Sequence, residues 1–139
     1  MRVSWEKYAL DIARTAAQRS EDIYKKVGAC ALNSKNMIVA VGYNGLAPGK
    51  DMSYQFFRNR NHRRPYMIHA EVNCLSLVKR GEVNLLACTL LPCSSCATMI
   101  AAYGVKKVVY EEVYHRAVSY THLRAHETRH DLVCRLLLE

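Results

Sequence analysis

Two short motifs in the middle of the chain contain residue types that bind metals and move protons. The first is His69-Ala70-Glu71, and the second is Pro92-Cys93-Ser94-Ser95-Cys96. Cysteine thiolates and a neutral imidazole are common zinc ligands in proteins. Two sulfur ligands and one nitrogen ligand leave the fourth tetrahedral position for water, which is typical of a catalytic site. The motifs therefore predict a catalytic zinc site formed by His69, Cys93 and Cys96.

Glu71 follows the predicted ligand His69 by two residues and places a carboxyl group close to the metal. Zinc lowers the pKa of a bound water toward about 7, and the reaction of that water requires a group that moves protons. We predict that Glu71 is this catalytic residue and carries protons from the water to a ring nitrogen and a leaving amine. The order H-x-E and then P-C-x-x-C is a recognised signature of zinc-dependent base deaminases.

Each motif alone is compatible with other chemistry. The C-x-x-C spacing also occurs in structural zinc sites and in redox dithiols. A structural zinc site needs a fourth protein ligand, whereas a redox dithiol needs neither the histidine nor the glutamate. Because each motif is predicted to open a helix and a strand precedes the cysteines, the pair favours the catalytic zinc site.

The elements around the motifs must bring these two helix starts together. Apolar residues recur at steps of three and four from Trp5 to Ala16 and predict a first helix that ends near Ser20. Two β-prone runs, at 27–32 and 37–41, are separated by polar turn residues and predict an antiparallel hairpin. The Gly42-Tyr43-Asn44-Gly45 turn is expected to end the second strand.

The second half of the chain is predicted to alternate helices and strands. We expect a long loop over 46–68, a helix over 70–80 with Gly81 at its end, a strand over 83–91, a helix over 93–103 closed by Gly104, and a strand over 105–110. A strand, a helix and a strand in so short a span form a crossover with parallel strands.

Length and composition limit the classes of protein. The 139 residues, half of them hydrophobic, suffice for one domain. No apolar run approaches the roughly 18 residues that cross a bilayer and no secretory signal is recognisable, so a soluble, cytoplasmic protein without a membrane partner is expected. The net charge of +8 favours ligands that carry phosphate without establishing a nucleic-acid surface. Three of the six cysteines, Cys30, Cys74 and Cys88, have apolar neighbours and are predicted to be buried, reduced thiols.

Several segments resemble the cytidine deaminase superfamily, and within it the deoxycytidylate (dCMP) deaminases, over about residues 4–115. The resemblance rests on Arg19-Ser20, Lys26-Val27-Gly28-Ala29, the Gly42-Tyr43-Asn44-Gly45 turn, His69-Ala70-Glu71-Val72-Asn73, Pro92-Cys93-Ser94-Ser95-Cys96-Ala97 and Gly104-Val105-Lys106-Lys107-Val108-Val109-Tyr110. It implies an α/β fold, a three-layer α/β/α sandwich with a central mixed β-sheet. It also implies hydrolysis of dCMP to dUMP and ammonia, a small-molecule nucleotide as partner rather than a nucleic acid, and a homo-oligomer, often a hexamer. Residues 1–115 offer no further cluster for a second metal, so one zinc ion per chain is expected.

The resemblance also suggests substrate-binding residues. Asn44 matches the family asparagine that contacts the sugar, and a turn-forming role in a left-handed conformation is the alternative. Tyr110 lies at a strand end where it is a candidate to stack on the base, with core packing as the alternative. Arg63 and Arg64 belong to a basic stretch before His69 and are candidates to contact a 5′-phosphate, unless that stretch is only a solvated surface.

The end of the chain differs in character from the rest. After about Ala117, three of the six histidines occur among mixed charges, followed by a leucine cluster. A terminal amphipathic helix is one interpretation. The segment also resembles the translation of sequencing-adapter read-through, and on that basis we predict a deaminase domain over 1–117 and a non-native tail over 118–139.

Three functions are compatible with these observations. The first is a dCMP deaminase. The second is a deaminase of bases in tRNA or a single strand, which would bind through the basic stretch and depend steeply on salt. The third is a non-catalytic module that zinc stabilises.

Overall fold

The computed structural model describes residues 2–49, 54–113 and 133–136. The elements in chain order are α1 (Trp5–Ala17), β1 (Gly28–Leu32), β2 (Ile38–Tyr43), α2 (Tyr54–Arg58), α3 (Arg60–Arg63), a 3-10 turn (Arg64–Tyr66), α4 (Ala70–Leu75), β3 (Leu85–Leu90), α5 (Ser94–Ala102), β4 (Lys107–Glu112) and β5 (Val133–Leu136). In the parts of the chain that the structure describes, no helix has the length and apolar character needed to cross a membrane.

The strands form one mixed sheet in the order β2-β1-β3-β4-β5. β1 is antiparallel to both β2 and β3, whereas β3, β4 and β5 are parallel to one another. The hairpin and the parallel strand–helix–strand unit predicted from the sequence are both present. The parallel arrangement places the ends of β3 and β4 at the same edge of the sheet, where the Cys93 motif begins.

Helices cover both faces of this sheet. Alternate residues of β1 face opposite sides, since Ala29 and Ala31 belong to one buried cluster while Cys30 and Leu32 belong to another. The first cluster includes residues of α4 and α5, and the second includes residues of α1. The predicted α/β/α sandwich around a central mixed sheet is therefore confirmed.

Helix α1 begins where Ser4 caps it, because the Ser4 hydroxyl accepts a hydrogen bond from the Lys7 backbone N–H at 3.1 Å. Its buried face consists of Ala9, Leu10, Ala13 and Ala17. Trp5 is 51% exposed, so the predicted apolar stripe is rotated from the face that packs. The small residues of the buried face let the helix backbone approach the sheet closely.

We predict that Gly28→Ala lowers the free energy of unfolding by about 1–3 kcal/mol or more, the usual cost of overpacking. A Cβ at Gly28 would lie 1.9 Å from the carbonyl oxygen of Ala13 and 2.8 Å from the backbone nitrogen of Ala17. Urea unfolding followed by circular dichroism measures the change. Gly45→Ala is the control, since its nearest contact is the flexible carboxyl of Glu21 at 3.1 Å. Equal stability of the two variants would contradict this account.

Three sequence-based element assignments are wrong in their details. Helix α4 ends at Leu75 instead of residue 80, and Gly81 lies beyond the helix at φ +84°, where its N–H donates to Tyr103. β2 continues through Tyr43, two residues past its predicted end. The segment 46–68 contains α2, α3 and the 3-10 turn, which are too short to produce a helical periodicity in the sequence.

Of the predicted tail, the structure describes residues 133–136. They form β5, which pairs with β4 in parallel, so these four residues are not part of the terminal helix that was one interpretation. The other residues of 118–139 lie outside the described residues. The domain boundary near residue 117 and the non-native origin of the tail stay predictions.

Candidate metal and active site

Two helix starts on the same face of the sheet carry the two motifs. His69 occupies the N-cap position of α4, and Cys93 occupies that of α5. Neither side chain makes the usual capping hydrogen bond to its own helix. Cys96 lies in the first turn of α5 and is buried. The prediction that both motifs open helices is therefore confirmed, and the side chains can interact with each other.

The three predicted metal ligands converge. His69 Nδ1 lies 3.3 Å from Cys96 Sγ and 3.4 Å from Cys93 Sγ. One ligand atom from each of the three residues can be chosen so that all lie within 4.8 Å of one another. A tetrahedral zinc ion with bonds of about 2.0 Å to nitrogen and 2.3 Å to sulfur would hold such atoms roughly 3.5 Å apart. Both the donor types and their spacing fit zinc.

The pKa values of the three predicted ligands are shifted by the hydrogen bonds between them. A hydrogen bond from Cys96, followed in size by one from His69, lowers the pKa of Cys93 to about 3. The pKa of Cys96 is raised, because its proton is shared with the Cys93 sulfur. The hydrogen bond to Cys93 is also the main reason that the pKa of His69 is raised. The lowered pKa of Cys93 favours its thiolate, which is the form that binds metals.

Glu71 lies in the first turn of α4, next to the three converging side chains. Its side chain is 3% exposed, and this burial raises the pKa of the carboxyl group. A hydrogen bond with the Cys96 thiol acts in the opposite direction and places the carboxyl beside the metal ligands. A buried carboxyl group with a raised pKa can hold and release protons near neutral pH.

The first turn of α4 is fixed against the end of β2. A Cβ at Gly42 would lie 2.6 Å from the backbone nitrogen of Cys74 and 2.7 Å from the carbonyl oxygen of Ala70, so only glycine allows this approach. Asn73 Nδ2 donates to the carbonyl oxygen of Tyr43 at 2.8 Å. These contacts position the helix start that carries His69 and Glu71.

Asn44 is buried and its amide is used within the protein. Its Oδ1 accepts from the Val27 N–H at 2.9 Å, while Nδ2 donates to the Lys25 carbonyl at 2.9 Å and to Asp22 Oδ2 at 3.3 Å. Among the described residues other than glycine, only Asn36 has a positive φ, so the left-handed alternative for Asn44 is wrong. Contact of Asn44 with the substrate sugar stays a prediction.

The other predicted substrate residues lie in different surroundings. Arg63 is 5% exposed and its Nη1 lies 2.6 Å from Asp22 Oδ2, so this guanidinium is already paired. Arg64 is exposed. The pKa of His69 is raised mainly by its hydrogen bond with Cys93, and the positive charge of Arg64 opposes this rise. Tyr110 is 1% exposed within the core, which favours the packing alternative. Substrate contacts by Arg63, Arg64 and Tyr110 stay predictions.

Asp22 is a buried polar residue that the sequence pattern did not indicate. It lies two residues after Ser20 in a polar stretch, and its side-chain partners Asn44 and Arg63 are distant in sequence. The stretch around Asp22 has no apolar periodicity that would indicate burial. The position of Asp22 two residues after the Arg19-Ser20 motif is the one feature that could have drawn attention to it.

A mixed sheet flanked by helices, with His-x-Glu and Cys-x-x-Cys at two adjacent helix starts, defines the class of zinc-dependent deaminases. The family described as "Cytidine and deoxycytidylate deaminase zinc-binding region" matches residues 3–112. The chain belongs to this family, as the sequence resemblance predicted.

Relatives within this family include deoxycytidylate deaminases. The Homo sapiens deoxycytidylate deaminase is 33% identical over 123 residues, which span 81% of this chain and 68% of the human protein. The deoxycytidylate deaminase of Mycobacterium phage D29 is also 33% identical over 123 residues, which span 78% of this chain and 95% of the phage protein. The structure of the dCMP deaminase from cyanophage S-TIM5 in complex with dCMP and dUMP has a TM-score of 0.80 and 26% identity, covering 99% of both chains.

Proposed function

We propose that this protein is a zinc-dependent deoxycytidylate deaminase that hydrolyses dCMP to dUMP and ammonia. The observation that carries the proposal is the convergence of His69, Cys93 and Cys96 within 4.8 Å, with the buried carboxyl of Glu71 beside them. The substrate is supported by the names of the related deaminases and by the dCMP and dUMP bound to the cyanophage enzyme.

His69, Cys93 and Cys96 would hold the metal through one nitrogen and two sulfur atoms. A zinc ion bound there supplies a Lewis acid that lowers the pKa of water toward about 7. Glu71 accepts a proton as water adds to C4 of cytosine, and it delivers that proton to N3. It then transfers a further proton of the added water to the amino group, the C4–N bond breaks, and ammonia leaves. The raised pKa of Glu71 suits a group that must hold a proton between these transfers.

A substrate panel tests the proposed function. Ammonia release is measured from cytidine, CMP, dCMP, dCTP and a single-stranded oligonucleotide, with dialysed protein and with protein restored with zinc. We expect the highest kcat/KM for dCMP and activity only after zinc is restored. Preference for the oligonucleotide with a steep salt dependence would favour the polynucleotide deaminase, whereas zinc binding without turnover would favour the non-catalytic module.

We predict that Arg64→Gln raises KM for dCMP by about 10-fold or more, the usual effect of losing a hydrogen bond between charged groups. Arg64 is exposed and precedes His69 by five residues, and its charge lowers the pKa of His69, which supports this choice. Kinetics with deoxycytidine, which lacks the phosphate, should change little. Arg80→Gln removes another exposed arginine and serves as the control. An equal rise in KM for dCMP and for deoxycytidine would contradict a phosphate contact by Arg64.

The remaining features of the proposal concern the sugar and the assembly. Asn44 contacts the sugar through its amide, and one zinc ion is bound per chain. The protein acts in the cytoplasm as a homo-oligomer, up to a hexamer. Family resemblance supports the assembly, and sedimentation velocity would measure the number of chains in it.

A further inference from the structure

Asp22 is a buried carboxylate outside the metal site that joins three segments of the chain. It is 6% exposed. Its Oδ1 accepts from the backbone N–H groups of Tyr24 and Lys25 at 2.7 and 3.1 Å. Its Oδ2 accepts from Arg63 Nη1 at 2.6 Å and from Asn44 Nδ2 at 3.3 Å. The loop after α1, the turn after β2 and the end of α3 therefore meet at one side chain.

The pairing of Arg63 with Asp22 is poorly explained by stability alone. The Arg63 guanidinium lies 4.6 Å from the centre of the Tyr24 ring, and its buried Nε has no hydrogen-bond partner among the described residues. An unsatisfied buried N–H destabilises a protein, and apolar residues often replace buried ion pairs without loss of stability. Asp22 also accepts a hydrogen bond from Asn44 Nδ2, so the pair bears on the orientation of the Asn44 amide.

The hydrogen bonds of Asn44 determine what its amide can offer a ligand. Both protons of Nδ2 are used, one by Asp22 and one by the Lys25 carbonyl. Oδ1 accepts one hydrogen bond, from Val27, although an amide oxygen can accept two. The amide in this orientation can accept a further hydrogen bond but has no proton left to donate. The complementary ligand group is a hydroxyl that donates.

Asp22 controls the orientation of the Asn44 side-chain amide in two ways. It accepts one Nδ2 proton directly, and it binds the backbone N–H of Lys25, the residue whose carbonyl oxygen accepts the other. Arg63 compensates the buried charge of Asp22 and fixes its Oδ2. We propose that Asp22 and Arg63 are positioning residues that keep Asn44 as a pure acceptor, so that the enzyme selects a sugar with a free 3′-hydroxyl. This inference rests on the proposed function and on the contact of Asn44 with the sugar.

The test compares dCMP with 2′,3′-dideoxycytidine 5′-monophosphate, which lacks the 3′-hydroxyl. We expect the wild-type protein to prefer dCMP by about 10-fold or more in kcat/KM, the effect of one hydrogen bond left unmade. Asp22→Asn places a donor against Nδ2, so the preference should fall to about 3-fold or less, mainly through a higher KM for dCMP. Arg63→Met should act in the same direction, and Arg63→Lys, which keeps the charge, should restore much of the preference.

A control separates positioning from simple loss of stability. Val83→Ala removes methyl groups from a core residue that is 1% exposed and precedes β3 at the end opposite Cys93. It should lower the melting temperature and leave the preference for dCMP unchanged. The inference is overturned if Asp22→Asn and Arg63→Met retain the wild-type preference, or if they lower activity on both nucleotides equally. The double variant Asp22→Asn with Arg63→Met leaves no unpaired buried charge and replaces either single variant that fails to fold.

A measurement without turnover keeps this inference distinct from the proposed function. The side-chain amide protons of Asn44, assigned by NMR, should exchange with solvent at least about tenfold faster in Asp22→Asn than in the wild-type protein, because a protecting hydrogen bond is lost. Unchanged exchange would overturn the positioning role. Failure of the zinc-loaded wild-type protein to deaminate dCMP would overturn the proposed function, and the exchange measurement would still decide the role of Asp22.

Discussion

Glu71→Gln is expected to lower kcat for dCMP deamination by about 10³-fold or more, while the protein still folds and binds zinc. General acid–base catalysis by one side chain typically contributes 10² to 10⁴-fold. Glutamine has nearly the same shape as glutamate but neither accepts nor delivers a proton at neutral pH. Steady-state ammonia release measures the loss, and metal analysis of the purified variant measures the bound zinc.

Stability separates a catalytic role of Glu71 from a structural one. Burial raises the folded-state pKa of this carboxyl group, so in the metal-free protein its ionisation destabilises the fold as the pH rises above the ordinary value of 4.5. Glutamine carries no charge, and metal-free Glu71→Gln should therefore be at least as stable as the wild-type protein at pH 7. The exposed variant Glu82→Gln should keep full activity. Activity of Glu71→Gln within tenfold of the wild type would contradict the assigned role.

The parts of the site that follow from local sequence were predictable. The spacing of Cys93 and Cys96 places both in the first turn of a helix, and a glycine after α5 marks its end, as Gly104 does at φ +73°. The sequence predicts a longer α4 than the structure has, because Val78 continues the apolar period. The chain instead turns after Ser76, and the Lys79 N–H donates to the Glu82 carboxyl outside any helix.

The surroundings of the predicted substrate residues do not follow from the sequence, because residue type does not reveal burial. Arg63 and Arg64 are neighbours in one basic stretch, yet Arg63 is buried against Asp22 while Arg64 is exposed. Successive helical residues point in directions about 100° apart, so one of two adjacent arginines can face inward. What decides between them is the partner, and Asp22 lies 41 residues away in sequence. Contacts between residues so distant in sequence produce no periodic pattern from which they could be predicted.

Cys96→Ser is expected to lower zinc affinity by more than about 100-fold and to abolish deamination at ordinary zinc concentrations. Loss of a residue that merely supports a ligand costs 10 to 100-fold, and loss of a ligand itself should cost more. A serine hydroxyl stays protonated at neutral pH, so one nitrogen and one thiolate would remain of the three ligand groups. Competition with a chromophoric chelator measures the affinity, and metal analysis gives the zinc content per chain.

The matched control is another buried cysteine, which lies on the sheet instead of on helix α5. Cys88 lies on β3, is fully buried, and is not among the three converging residues. Cys88→Ala should lose stability through the missing sulfur but retain one zinc ion per chain and the wild-type affinity. Since Cys96 also hydrogen-bonds to Cys93 and Glu71, its replacement removes a ligand and disturbs both neighbours. Retention of zinc and activity by Cys96→Ser would therefore contradict the metal site and the mechanism together.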